Sequence, residues 1–439
     1  MGLTRAIIVA GLMASASFTV AGERPALGPR PIFPEADMAA VELGQLLFYD
    51  PILSGNRNIA CSTCHHPKFG TGDGVSLGIG EGGLGLGPER KANPANHPEE
   101  RIPRNAPGLW NLGAAQFTVM FHDGRLEGHP DFPNGLRTPL GEDMVAGFDD
   151  ALAAQAMFPV LSPDEMAGHY SENEVAEAVR LGQLSTPGGA WDRIAARVEA
   201  IPDYRARFDT VLGAGAPITF AEIANAMADF IRFEWRADMS PFDVYMLGQG
   251  GLSDPAKRGM DLFYGAAGCS SCHAGWLQTD HAFHALAMPQ FGPGKAARFE
   301  SHHRDEGRIR VTGEAEDAYA FRTPSLRNVT LTAPYGHDGA YATLEGAIRH
   351  HVNPAQALDN YDRTQAILPP LDGVADWAIL DSAEDRAALR ASVTAPDITL
   401  TEAEIADLVA FLNALTDETA AAGRLGVPKA IPSGLPVDH

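Results

Sequence analysis

The 439-residue sequence has only four cysteines, and it sets 33 Lys and Arg against 56 Asp and Glu. The shortage of basic residues leaves a formal net charge of −23, and nothing in the chain resembles the cationic groove of a nucleic-acid binder. An acidic surface instead steers a partner that presents a basic face. Long apolar runs are scarce as well, and after residue 21 no stretch is apolar enough to cross a bilayer. The run that ends at Ala21 follows Arg5 and is broken by Ser15, Ser17 and Thr19, which reads as a secretory signal over residues 1–21. The mature chain is therefore expected to be exported, with no membrane anchor after cleavage.

All four cysteines fall in two five-residue stretches, Cys61-Ser62-Thr63-Cys64-His65 and Cys269-Ser270-Ser271-Cys272-His273. Cys-x-x-Cys-His is the c-type haem attachment motif: the thiols form thioethers to the porphyrin and the His stands under the iron. Zinc sites and redox dithiols also use Cys-x-x-Cys, but a zinc site needs a second ligand pair close by, and these motifs stand far apart. The expectation is two covalently bound haem c groups, with Cys61, Cys64, Cys269 and Cys272 as attachment points and His65 and His273 as proximal iron ligands. Covalent haem on an exported chain places it in the periplasm.

The features around the two motifs repeat in the same order. An apolar-periodic segment, Glu35 to Tyr49, leads into the first motif, and Lys257 to Tyr264 leads into the second. Downstream, the stretch from Arg104 to Leu109 ends at Phe121-His122-Asp123-Gly124, and that from Arg322 to Leu326 ends at Gly336-His337-Asp338-Gly339. The expected fold is mainly α: two cytochrome c-like haem domains related by duplication, over residues 22–245 and 246–439. Pro241 to Asp254 reads as the connection between them, and Gly70 to Gly87 as a long loop near the first haem. Capping boxes start helices at Ser171, Thr219 and Thr401, and the Pro-rich tail from Val427 is irregular.

The sequence resembles the bacterial dihaem cytochrome c peroxidase family, which includes the MauG-type enzymes. The resemblance rests on Leu47 to Ser54, Pro103 to Pro107, Asp123 to Arg125 and Leu326 to Gly339, and it covers nearly all of the mature chain. It implies that the N-terminal haem meets hydrogen peroxide while the C-terminal haem stores and passes electrons. The family's peroxide pocket maps onto Ala151 to Met166, giving Gln155, Pro159 and Glu165. Splitting the O–O bond needs a group that moves a proton from the near oxygen to the far one; a carboxylate does this, and an amide holds the peroxide.

Other implications are residue by residue. His97 matches the histidine that caps the first iron until activation removes it. His351 stands where peroxidases carry Met and MauG-type enzymes carry Tyr, which implies bis-histidine ligation by His273 and His351, with His350 the alternative. Such ligation gives a lower potential than Met would. His122 replaces the Trp that relays electrons between the haems and is available to a haem propionate; Trp110 is another aromatic for hopping. Asn105, Thr332 and Pro334 match the family's calcium ligands, and hard oxygen donors suit that ion. The implied partners are hydrogen peroxide and a small donor cytochrome c or cupredoxin, and the implied assembly is a homodimer. The competing readings are a MauG-like oxidase of a protein or other large substrate, and a non-catalytic electron carrier.

Overall fold

Two glycines decide where the longest helices cross. In the computed structural model, which describes residues 24–141, 144, 146–296, 300 and 302–439, Met38–Phe48 packs across Phe220–Glu234, and Asp254–Tyr264 packs across Glu402–Asn413. A Cβ at Gly44 would stand 1.8 Å from the Ala226 carbonyl oxygen and 2.9 Å from Phe230 Cβ. A Cβ at Gly259 would stand 1.9 Å from the Asp407 carbonyl oxygen and 2.9 Å from Phe411 Cβ. In both places the missing side chain lets backbone touch backbone, and the partner helix offers its contacts four residues apart, one turn on. Aromatic rings fill the space around each crossing: Phe48, Phe230 and Trp235 in one, Phe263, Tyr264 and Phe411 in the other.

The chain is mostly helical. Among the described residues the strands form three small antiparallel sheets: Gly83–Leu84 with Lys91–Ala92; Val119–Met120, Leu126–Gly128 and Leu136–Arg137; and Phe283–His284 with Phe321–Arg322. Thr219 and Thr401 cap their helices as expected. Ser171 does not: the helix Glu174–Arg180 starts later, because Asn173 accepts the Val175 and Ala176 amides on its side chain. The expected connection from Pro241 also holds a helix, Pro241–Met246, closed by a Ser240–Asp243 capping box. The expected signal, residues 1–21, lies outside the described residues. Among the described residues no helix is long and apolar enough to cross a membrane.

Both ends of the chain cross over. Leu27 packs into the apolar cluster that holds Phe242, Met260 and Phe411 of the second half. The tail runs the other way: Ala420 and Ile431 join the core of the first half, and Thr63 donates a 2.9 Å hydrogen bond to Asp438, inside the first haem motif. The tail is irregular, as expected, but docked. Between the halves, Arg104 makes a two-pronged ion pair with Asp305 at 2.6 and 2.8 Å and also reaches Asp123 at 2.7 Å, all three buried. Burial opposes these charges, but mutual attraction outweighs it, holding Arg104 above and Asp305 well below their usual ranges.

Candidate active site

In each Cys-x-x-Cys-His motif the first cysteine starts a short helical turn whose carbonyl accepts the histidine amide, at 3.0 Å in both cases. The turn brings two thiols and an imidazole to one side. His65 Nδ1 then lies 3.0 Å from the Thr71 carbonyl, and His273 Nδ1 lies 3.1 Å from the Gln278 carbonyl. A carbonyl only accepts, so a hydrogen on Nδ1 would leave the Nε2 lone pair to a metal; the Pro107 and Pro324 backbones also lie against these rings. Burial pushes the Cys61 and Cys64 thiols up to about 12 and Cys269 to about 11. A redox dithiol or a zinc thiolate needs the opposite shift. The four cysteines are free of disulfides, and with an imidazole beside each pair they fit two thioether-linked haem groups.

Glu165 reaches the first motif. It sits in the π-helical turn Pro163–Ala167, half-buried, and its charge acts on the Cys64 thiol. The turn lies on the Gly-rich loop, where a Cβ at Gly80 would meet the Asp164 carbonyl at 2.2 Å and Glu165 Cα at 3.0 Å. Arg90 holds that loop by donating to the carbonyls of Ile79, Gly80 and Gly85. Buried Glu81 holds it too, accepting from Asn56, Asn58 and Asn96 at 2.8–3.0 Å and donating its amide to Asp164. Gln155 ends the helix Ala151–Gln155, and Pro159 starts the 3₁₀ turn Pro159–Leu161 that leads into the Glu165 turn. Asn96 brings the His97 loop to the same place, but His97 itself is exposed, its Nδ1 2.9 Å from the Pro98 carbonyl.

The sequence reading missed Lys295, which the fold carries in from the second half. Burial, with Arg125 and Arg104 nearby, brings its ammonium down to about 8, and Glu165 and Asp305 act against that shift. No local pattern marks it; only the tertiary fold brings it within electrostatic reach of Glu165.

Residues 38–251 match the family model described as di-haem cytochrome c peroxidase. MauG of Methylorubrum extorquens is 30% identical over 332 residues, covering 75% of this chain and 73% of its own. The cytochrome c551 peroxidase of Nitrosomonas europaea is 30% identical over 369 residues, covering 83% and 88%. The chain belongs to the dihaem cytochrome c peroxidase family. A solved MauG-like protein associated with microbial copper homeostasis superimposes with a TM-score of 0.56 at 28% identity, over 90% of this chain and 95% of that one. Covalently bound haem c follows from the family.

In this dihaem family member, His350 and His351 both lie on the helix Leu344–Val352, and their rings differ in what is left over. Both nitrogens of buried His350 are in use, Nδ1 with the Tyr341 hydroxyl at 2.8 Å and Nε2 with the Leu286 carbonyl at 2.7 Å. His351 uses only Nδ1, 2.8 Å from the Ala347 carbonyl, and its ring acts electrostatically on His273. Among the described residues, Nε2 of His351 thus has no hydrogen-bond partner of the kind that takes both nitrogens of His350. His122 stands between the halves: its Nε2 lies 3.1 Å from the Asn105 carbonyl, and its own carbonyl accepts from Arg322 at 2.7 Å. Burial and the Arg104 charge lower it to about 4, so the imidazole is neutral. Trp110 donates to the Gly70 carbonyl at 3.0 Å. Asn105 Nδ2 and Pro334 Cγ both border the space where Gly339 lacks a Cβ, each 3.0 Å away, and Asn105 Nδ2 donates to the Val75 carbonyl at 2.7 Å.

Proposed function

We propose that this chain is a periplasmic peroxidase that reduces hydrogen peroxide to water, at a haem held by Cys61, Cys64 and His65. Its electrons come from a small cytochrome c or cupredoxin and enter through a haem held by Cys269, Cys272, His273 and His351. Haem iron supplies the redox chemistry when bound, and the protein supplies ligands, protons and exclusion of water. His65 and His273 present Nε2 because Thr71 and Gln278 hold Nδ1. Glu165 takes the proton from the peroxide oxygen nearer the iron and returns it to the departing one, with Lys295 as the neighbouring counter-charge. Gln155 orients the peroxide, Pro159 sets the turn that delivers Glu165, and His97 closes the iron site before activation. His122, neutral and buried, is a propionate partner rather than a charge carrier. Asn105, Thr332 and Pro334 hold calcium through oxygen atoms. The two helix crossings at Gly44 and Gly259 support two haem domains related by duplication, 22–245 and 246–439, each lending its terminal segment to the other.

The observation that carries this reading is Glu165, a half-buried carboxylate set beside the first haem motif on a loop pinned by Arg90 and Glu81. Glu165→Gln is expected to keep both haems and lose peroxide turnover by a factor of about 10²–10⁴, the usual worth of a positioned acid–base group. Undiminished turnover removes Glu165 from the mechanism.

A MauG-like oxidase is the second reading. It is favoured by ring contacts that run from Tyr341, hydrogen-bonded to His350, through Tyr361 and Phe291 to half-buried Trp377, which suits a substrate too large to reach an iron.

A further inference from the structure

The two haem motifs differ in how far they stand open. Ser62 and Thr63, between Cys61 and Cys64, are 0% and 1% exposed, whereas Ser271, between Cys269 and Cys272, is exposed and Ser270 is half-buried. Thr63 is held by the segment 424–438, which has no helix or strand and still keeps a fixed course. Buried Glu234 accepts the amides of Arg424, Leu425 and Gly426 at 2.7–3.1 Å, and the Gly426 carbonyl accepts from Gln45 Nε2 at 2.7 Å. Further on, Ile431 enters the core of the first half, Leu435 and Val437 pack against that core, and Ser433 donates to buried Asp50 at 2.8 Å. The segment reaches the motif at Asp438. The Thr63 hydroxyl accepts from the Ala60 amide at 3.1 Å, which leaves its hydrogen to the Asp438 carboxylate, 2.9 Å away. At the second motif the Ser271 hydroxyl turns instead to the Gly268 carbonyl of its own turn, at 2.8 Å. An irregular segment gives up much chain entropy to follow one path, and here the path ends on the first motif.

We propose that the segment 424–438 is a strap that closes the first motif to outside electron partners, with the Thr63–Asp438 contact as its clasp. Both thioethers of a haem c hang from its Cys-x-x-Cys turn, so that turn stands at an edge of the porphyrin. Electron transfer falls steeply with separation, and a partner resting on an open turn is therefore well placed to exchange electrons with the ring. Chain laid over the turn keeps such a partner at a distance. The strap does this at the first motif, while the second, with Ser271 at the surface, stays open. The first site is thus shielded from discharge by passing reductants, and its electrons arrive from within the protein. The inference needs two haems and no particular reaction with peroxide.

The test is anaerobic stopped-flow reduction of the oxidised holoprotein by methyl viologen radical, with freeze-quench electron paramagnetic resonance assigning each phase to its haem. Each radical gives one electron to a ferric haem and leaves as the viologen dication. In the wild type the second haem is expected to be reduced at a rate proportional to viologen, and the first to follow at a rate that does not depend on it. A Leu435→Asp, Val437→Asp double variant undocks the strap, and reduction of its first haem is expected to become first order in viologen. Asp438→Ala, which removes only the clasp, shifts the same way, and Asp438→Asn, which keeps an acceptor for Thr63, behaves as wild type. A wild-type first haem whose rate already rises in proportion to viologen overturns the proposal. So does a double variant that retains both haems, by pyridine haemochromogen assay, and still shows no viologen dependence; if it loses haem, Asp438→Ala decides by the same criterion. No peroxide enters the experiment, so its outcome and that of the peroxidase reading are independent.

Discussion

His65 Nδ1 is held 3.0 Å from the Thr71 carbonyl, and His273 Nδ1 is held in the same way on the Gln278 carbonyl. In both motifs the ring is held by a backbone carbonyl rather than by a side-chain carboxylate. The two motifs differ in what else acts on them: Glu165 acts on Cys64 of the first and His351 on His273 of the second.

Replacing either proximal histidine therefore has a local result. His65→Gly is expected to keep both covalent haems, abolish peroxide turnover and leave the low-spin signal of the second haem intact; His273→Gly removes that signal instead. Visible spectroscopy and electron paramagnetic resonance check this, and added imidazole restores the missing ligand. Equal loss of both signals in either variant contradicts independent ligation.

His351→Met is expected to raise the midpoint potential of the second haem, because thioether ligation raises it relative to imidazole. His350→Gln should leave that potential nearly where it is, since both His350 nitrogens already have protein partners. A spectroelectrochemical titration separates the two. A rise in the His350 variant alone would assign the ligand to His350.

Arg104 and Asp305 predict an acid limb in stability. The native Asp305 carboxyl is held well below the unfolded value by Arg104, against the push of burial, so folding favours its ionised form. Such a group contributes stability above the unfolded carboxylate pKa of about 4, and the contribution is lost as pH falls below that value. The stability gap between wild type and Asp305→Asn should therefore be full at pH 7 and shrink towards pH 3 in denaturant titrations. Arg104→Gln should cost about 3–5 kcal/mol at pH 7, because it leaves buried Asp305 uncompensated, while Asp123 keeps Arg125 at 3.3 Å. A gap that widens on acidification contradicts the assignment.

Gly44→Ala and Gly259→Ala each push a methyl group into a carbonyl less than 2 Å away. Each should destabilise by about 1–3 kcal/mol, the range for overpacking a fitted contact. Gly251→Ala, where nothing stands within 4 Å, should change stability by less than about 0.5 kcal/mol. Thermal unfolding of the holoprotein compares the three, and equal melting temperatures would refute the close crossings.

Much of the molecule was legible because its chemistry is local in sequence. Cys61 to His65 and Cys269 to His273 are contiguous, and Thr219 and Thr401 lie three residues from the groups they cap. Residues that act across the fold left no such trace. Arg104 and Asp305 are 201 residues apart, and nothing near Lys295 points to Glu165. Ser171 satisfied a capping pattern yet lost to Asn173, whose side chain reaches two amides at once. The choice between His350 and His351 was open in the sequence; the structure adds that both His350 nitrogens have protein partners.

The most direct test of the central claim is stopped-flow addition of hydrogen peroxide to the oxidised and half-reduced holoprotein, with calcium and reduced cytochrome c present. The account predicts rapid donor oxidation at two electrons per peroxide, faster after half-reduction if His97 leaves the iron. No donor oxidation and no peroxide loss in either state would contradict it.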